Sequence, residues 1–134
     1  MLQEIPIRTR RRNELIDITG NIRNLVHLSG VTHGLCHIFV PHTTAAVTIN
    51  EKADPDVARD VEETLSKMVP EAEGYRHAEG NSDAHIKSTL VGISAFVPVS
   101  GGDVVLGTWQ AVFFCEFDGP RTRRCLVQIM NAER

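Results

Sequence analysis

The segment from Trp109 to Phe117 places large apolar side chains at both its odd and its even positions. Successive side chains of a strand point to opposite faces, so Phe113 and Phe117 lie on one face while Val112 and Phe114 lie on the other. A strand that is apolar on both faces has to be covered on both. Either helices of the same chain or a second subunit can provide that cover. The pattern therefore makes the chain a candidate homo-oligomer, with cover from within one chain as the equal alternative.

The size and composition of the chain bound its class. Its 134 residues are one domain's worth, and residues 1–134 are predicted to form a single domain. The hydrophobic share of 42% and the charged share of 23% are typical of globular proteins and exclude a disordered chain. A net charge of -3 argues against broad electrostatic binding to nucleic acid or to an anionic membrane.

Apolar runs and cysteines predict the cellular compartment. No apolar stretch approaches the roughly 18 residues that span a bilayer, and the N-terminus lacks the basic-then-apolar order of a signal peptide. Cys36, Cys115 and Cys125 form no Cys-x-x-Cys pair, and each lies in an apolar, strand-like run. An odd number of such thiols is typical of reduced, buried cysteines, so we expect a cytoplasmic protein.

Apolar periodicity predicts strands over residues 3–10, 14–19, 35–40, 45–50, 93–99, 103–106, 108–117 and 121–130. Three helices are expected between them: one with Thr19 as its cap, one beginning at Asp54-Pro55 and extending to residue 70, and one over residues 81–92. Polar junctions at 11–13 and 118–121 predict hairpins between the first two strands and between the last two. The predicted class is α+β, a β-rich single domain with strands packed in two layers and two or three helices.

Three of the six histidines are placed where a folded chain can bring them together. His42 follows the end of a strand, and His77 lies in the long polar loop 71–81. His85 lies in the first turn of the third helix, where the helix dipole favours anions. Three imidazoles are a common transition-metal constellation. The spacing matches no tight metal signature, so three unrelated histidines are the alternative.

Polar side chains at strand ends extend this candidate site. Thr43 and Thr44 follow His42, where their hydroxyls suit a phosphate; in the alternative reading they bond the local backbone of a turn. Asn50 and Glu51 end the next strand and lie within reach of His42 if the two strands are neighbours. Simple turn chemistry is again the alternative for this pair.

Seven short strings occur in order from about Gly34 to the C-terminus: Pro41-His42-Thr43-Thr44-Ala45, Ile49-Asn50-Glu51, Tyr75-Arg76-His77, Gly80-Asn81 followed by Ala84-His85, Pro98-Val99, Leu106-Gly107-Thr108-Trp109-Gln110 and Glu116-Phe117-Asp118-Gly119-Pro120-Arg121. Their combination resembles the YjbQ family, whose members are described as secondary thiamine-phosphate synthases. The resemblance implies a small β-rich protein that assembles as a homotrimer. Such an assembly would also cover strands that are apolar on both faces.

The resemblance implies a reaction that joins a pyrimidine diphosphate to a thiazole phosphate and releases pyrophosphate. A leaving diphosphate calls for cationic groups or a divalent metal ion, here magnesium or zinc. The implied catalytic residues are His42, His77 and His85 around the metal or phosphate, with Asn50 and Glu51 orienting them or binding the metal through water. The implied substrate-binding residues are Thr43, Thr44, Asn81, Thr108, Trp109, Gln110 and Arg121. Among them Arg121 would neutralise phosphate, and Trp109 would stack on a ring if it is not part of the core.

Two other functions fit the same residues. One is a metal-dependent hydrolase that acts on a phosphorylated metabolite, and the other is a non-catalytic module that binds a small ligand. In all of these readings the expected partners are small phosphorylated molecules and further copies of the chain, with no nucleic acid and no membrane.

Overall fold

The computed structural model describes residues 2–132, so Met1, Glu133 and Arg134 of the predicted domain lie outside the described residues. Eight strands and three helices follow one another within that range: β1 (Leu2–Arg8), β2 (Glu14–Asp17), α1 (Thr19–Ser29), β3 (Gly34–Phe39), β4 (Ala45–Glu51), α2 (Pro55–Met68), α3 (Ser82–Val91), β5 (Ser94–Ser100), β6 (Asp103–Val104), β7 (Gln110–Glu116) and β8 (Thr122–Asn131). The predicted α+β class is confirmed, and every predicted element is present close to its expected bounds.

The strands form two antiparallel sheets, which are the two predicted layers. Sheet A has the strand order β1-β8-β3-β5-β6, and sheet B has the order β2-β7-β4. Apolar side chains of both sheets meet between them, with Ile38 and Val127 from sheet A and Val47 and Phe114 from sheet B. Burying side chains of this size stabilises the fold by roughly 1.5–3 kcal/mol each, so this interior holds the two sheets together.

Both predicted hairpins are wrong. β1 pairs with β8 and β2 pairs with β7, so each pair of consecutive strands is divided between the two sheets. The two junctions bond to each other instead of closing tight turns. The amide of Thr9 donates to the carbonyl of Arg121, and the amide of Gly119 donates to the carbonyl of Arg12. Polar turn signals mark where a chain reverses, but they do not determine which sheet the next strand joins.

The strand β7, apolar on both faces, is covered on both by its own chain. Val112 and Phe114 lie in the interior between the sheets, while Cys115 and Phe117 lie in a second apolar cluster with residues of α2 and α3. The pattern of β7 therefore requires no second subunit. Apolar side chains stay exposed on the outer face of sheet A, where Phe96 is 56% and Met130 43% exposed.

The helix termini follow the sequence signals in part. Asp54 caps α2 as predicted, because its carboxylate accepts a hydrogen bond from the amide of Asp56 at 2.9 Å. Thr19 does not cap α1. Its hydroxyl accepts a hydrogen bond from the amide of Val112, and the carboxylate of Asp17 accepts from the Thr19 amide instead. None of the helices in residues 2–132 combines the length and the apolar character that crossing a bilayer requires.

Candidate functional site

A cavity of about 680 Å³ opens where the end of β3, the loop 71–81, the start of α3 and the connection between β7 and β8 meet. His42, His77 and His85 all lie on its wall. Thr43, Thr44, Asn81 and Arg121 line it as well, so seven of the twelve residues singled out from the sequence face one space. Long-range folding thus brings together side chains from three separate parts of the chain.

His77 and His85 lie side by side in this cavity. Their ring centroids are 5.4 Å apart, and the rings are almost perpendicular. His77 Nε2 is 3.8 Å from the carboxylate of Glu79. His85 lies in the first turn of α3, at the positive end of the helix dipole, which favours bound anions.

The His42 ring is held by the backbone of β8. β3 ends at Phe39, opposite Leu126, so Arg124 lies beyond the pairing of β3 with β8. The Nε2 atom of His42 occupies that place, 3.1 Å from the Arg124 amide nitrogen and 3.2 Å from its carbonyl oxygen. Either neutral tautomer is therefore satisfied at Nε2, and Nδ1 is the nitrogen left for a ligand. Burial lowers the pKa of His42, and the nearby Arg123 guanidinium lowers it further, so both favour the neutral ring.

Behind His42 lies a buried ion pair that the sequence reasoning missed. Glu116 is fully buried, and its carboxylate accepts hydrogen bonds from Arg123 Nε at 2.9 Å and from the Thr9 hydroxyl at 2.7 Å. Burial alone would raise the pKa of Glu116, but these hydrogen bonds and the Asp118 amide lower it. Arg123 also donates to the Thr44 hydroxyl at 2.8 Å and reaches the cavity wall. The sequence signal for this ion pair was Arg123, a charged residue at a position of β8 where the alternating pattern calls for an apolar side chain.

Asp118 organises the opposite wall. Its carboxylate accepts from the Asn81 amide group and from Arg121 Nη2, each at 2.9 Å. Burial would raise the pKa of Asp118, whereas these two bonds and the Arg12 guanidinium lower it. Asn81 Oδ1 is buried and has no hydrogen-bond partner within residues 2–132, which makes it an acceptor without a donor. The Arg121 side chain is half exposed and keeps further N–H groups for a ligand.

The other five candidate residues lie at the far end of sheet B. Ala45 is opposite Glu116 at one end of the β4–β7 pair, and Glu51 is opposite Gln110 at the other. Six residues of strand separate the ends by about 20 Å. Because β3 and β4 belong to different sheets, the condition for bringing Asn50 and Glu51 within reach of His42 is not met. The residues placed together at this distant end are Asn50, Glu51, Thr108, Trp109 and Gln110.

Known proteins are similar to this chain in sequence and in architecture. The family described as "UPF0047 protein YjbQ-like" matches residues 3–132. The chain belongs to this YjbQ-like UPF0047 family. The UPF0047 protein YugU of Bacillus subtilis is 49% identical over 132 residues, covering 98% of this chain and 100% of YugU. A UPF0047 protein of Methanocaldococcus jannaschii is 50% identical over 131 residues, covering 98% of this chain and 95% of that protein.

Solved structures of family members agree with the fold. The crystal structure of a YjbQ/UPF0047 protein from Clostridium acetobutylicum has a TM-score of 0.94 at 47% identity, covering 96% of this chain and 99% of that one. A YbjQ-like protein of unknown function from Sulfolobus solfataricus also has a TM-score of 0.94, at 34% identity, covering 98% and 96%. These names state no activity.

The metal that the family resemblance implies can be tested against the donors of this site. Three imidazoles surround the cavity, but in the described part of the chain no group of three or more histidine, cysteine, aspartate or glutamate side chains comes close enough to hold an ion. His42 is further restricted because its Nε2 bonds to Arg124. The donors therefore do not converge on one point.

Proposed function

We propose that this cavity binds phosphorylated metabolites and that the protein is a transferase with thiamine-phosphate synthase activity. In that reaction a pyrimidine diphosphate and a thiazole phosphate are joined, and pyrophosphate is released. The observation that carries the proposal is the convergence of His42, His77, His85 and Arg121 on one cavity of about 680 Å³. A cavity of this volume lies within the range of ~300–1,000 Å³ that small-molecule sites occupy.

Three groups of different kinds could bind anions at one end of the site. Arg121 supplies a permanent positive charge that is oriented by Asp118, with Nε 2.8 Å from the Asp118 carbonyl oxygen. The N-terminus of α3 supplies the positive end of a helix dipole next to His85. Imidazole N–H groups supply hydrogen bonds. These are the groups that a diphosphate and a second phosphate require in one pocket.

The proposed chemical step breaks the bond between the pyrimidine methylene carbon and the diphosphate oxygen. The bonding electrons leave with pyrophosphate, and the ring nitrogen of the thiazole forms the new bond to the methylene carbon. Arg121 and the histidine N–H groups stabilise the negative charge that develops on the leaving group. Holding both substrates in one cavity supplies the remaining rate acceleration, because the two reacting atoms are already close together and oriented. His42, whose neutral form is favoured, donates a hydrogen bond from Nδ1 when Nε2 accepts from Arg124.

A reconstituted assay tests this proposal. Purified protein is supplied with both substrates, with and without magnesium or zinc, and thiamine phosphate is quantified by fluorescence after oxidation. We expect turnover by the unaltered protein and a loss of about 100-fold or more in His42→Ala. His27→Gln, on the exposed side of α1, is the matched control and should keep full activity. Product no higher in the unaltered protein than in His42→Ala overturns the proposal. Comparing activity with and without added magnesium or zinc tests, in the same experiment, the divalent ion that the family resemblance implies.

A second candidate function is hydrolysis of a phosphorylated metabolite. The carboxylates of Glu79 and Asp118 line the same cavity as the histidines, and a carboxylate beside an imidazole is able to orient water for attack. Release of inorganic phosphate from either substrate alone, without any joined product, would favour this reading. The third candidate, a non-catalytic binding module, predicts saturable binding of these substrates with no turnover of either.

We also propose that the protein is a homotrimer in the cytoplasm. The exposed apolar residues on the outer face of sheet A, Phe96, Met130 and Leu2, support an association of subunits through that face. Light scattering should give about 44 kDa, three times the chain mass of 14.8 kDa. Phe96→Glu should lower the measured mass, whereas Leu28→Glu on α1 should not. A mass of 14.8 kDa at working concentration contradicts the trimer.

A further inference from the structure

A second cavity lies between α2 and the outer face of sheet B, and it extends along the sheet from Leu15 and Cys115 to Asn50 and Glu51. Its volume is about 150 Å³. The apolar stripe of α2, formed by Val57, Val61 and Leu65, faces it, yet no residue of α2 is fully buried. A helix whose apolar side is only half covered leaves space above the sheet. The gap therefore lies where the helix and the sheet fail to fill the interface.

The walls of this cavity are mostly apolar, whereas its rim carries polar and charged side chains. Leu15, Phe113 and Cys115 form the floor on sheet B, and the stripe of α2 forms the roof. Glu51 lies at the rim, at the end of β4, together with Asn50. Asn50 Oδ1 accepts a hydrogen bond from the Glu51 amide at 2.7 Å, which leaves its NH₂ group free. Within residues 2–132 the Glu51 carboxylate has no hydrogen-bond or ion-pair partner.

We propose that this cavity binds a small organic cation that carries a single ring. A cavity of about 150 Å³ with mostly apolar walls is the size that accepts one benzene-sized ring. An ammonium group on that ring would reach the unpaired carboxylate of Glu51, while the ring fills the space between Leu65 and Phe113. Neutral rings lack this contact, and anions are repelled by it. Its Glu51 end is about 20 Å along β4 from Ala45. The site shares no lining residue with the histidine cavity and does not depend on the function proposed there.

Titration of ¹⁵N-labelled protein with benzylamine, followed by NMR, tests the proposal. We expect saturable shifts of the amide resonances of Leu65, Phe113 and Cys115. Benzyl alcohol, which has the same shape without the charge, should bind about fivefold more weakly. In Glu51→Gln the two probes should bind alike, because the carboxylate is gone and the cavity is unchanged.

A cavity-filling variant separates binding in the gap from binding on the surface. Ala58 lies on the helix wall of the cavity, so Ala58→Phe should fill it and abolish the shifts. His42→Gln is the control in the other site and should leave benzylamine binding unchanged. If far-UV circular dichroism shows that Ala58→Phe does not fold, Val57→Phe on the same wall takes its place. The absence of saturable shifts, equal affinity for the two probes in the unaltered protein, or unchanged binding in the filled variant would each overturn the proposal.

Discussion

Replacing Arg123 by leucine should destabilise the protein more than any change at the surface. Arg123 is 7% exposed, and its partner Glu116 is fully buried, so Arg123→Leu leaves a carboxylate in the interior without its counter-charge. Breaking a buried ion pair from one side costs about 3–5 kcal/mol. The Thr9 hydroxyl and the amides of Phe117 and Asp118 still donate to Glu116, which places the expected loss near the lower end, about 3 kcal/mol.

That loss converts into a measurable shift in melting temperature. A chain of 134 residues has an unfolding entropy near ~0.28 kcal/mol/K, from about 2.1 cal/mol/K per residue. A destabilisation of about 3 kcal/mol then lowers Tm by roughly 11 °C. Urea unfolding should show a lower midpoint with an unchanged slope. The double variant Glu116→Gln/Arg123→Met is the matched control. It should recover most of the loss, because the amide still accepts from Thr9 and no charge is buried.

The pH dependence distinguishes an ion pair from simple packing. The folded-state pKa of Glu116 lies below its ordinary value of 4.5, so its contribution is fully present above pH 4.5 and is lost as the pH falls through the lowered pKa. In Arg123→Leu burial dominates and the pKa of Glu116 rises, so acidification stabilises the variant relative to the unaltered protein. The difference in the free energy of unfolding between the unaltered protein and Arg123→Leu should therefore become smaller as the pH is lowered from 7 to 4. A gap that stays constant over that range, or a loss below about 1 kcal/mol, would refute the ion-pair reasoning.

Three further predictions concern other parts of the molecule. Gly34→Ala should lower Tm strongly, because a Cβ there overlaps the carbonyl oxygen of Met130. A Tm within 2 °C of the unaltered protein, which corresponds to a destabilisation of less than about 0.5 kcal/mol, would contradict this. In an NMR titration the pKa of His42 should lie below 6.5. The stability that its neutral ring contributes is then present above pH 6.5 and is lost as the pH falls through the lowered pKa. A titration midpoint at or above 6.5 would contradict the expected effect of burial. Arg121→Ala should weaken pyrophosphate binding by about tenfold in calorimetry, whereas Arg59→Ala on exposed α2 should not.

Local sequence signals predicted the elements, and they singled out seven residues that line one cavity. The caps and periodicities of α2 and the strands depend on neighbours within a few residues, so they can be read directly, as the Asp54 cap shows. The convergence of His42, His77 and His85 was also predicted, because each lies at the end of an element or in a loop beside one. Their role in chemistry stays a prediction.

The tertiary structure alone decided the pairing of strands and the division of the polar motifs. The strands next to the junctions join different sheets, because the apolar faces of β7 and β8 are buried against different partners and the two junctions bond to each other. That same division moves Glu51 to the end of β4 that is distant from His42, and it buries Arg123 against Glu116. Periodicity shows which face of a strand is apolar, but it carries no information about the distant segment that covers that face. Only packing along the whole chain supplies that partner.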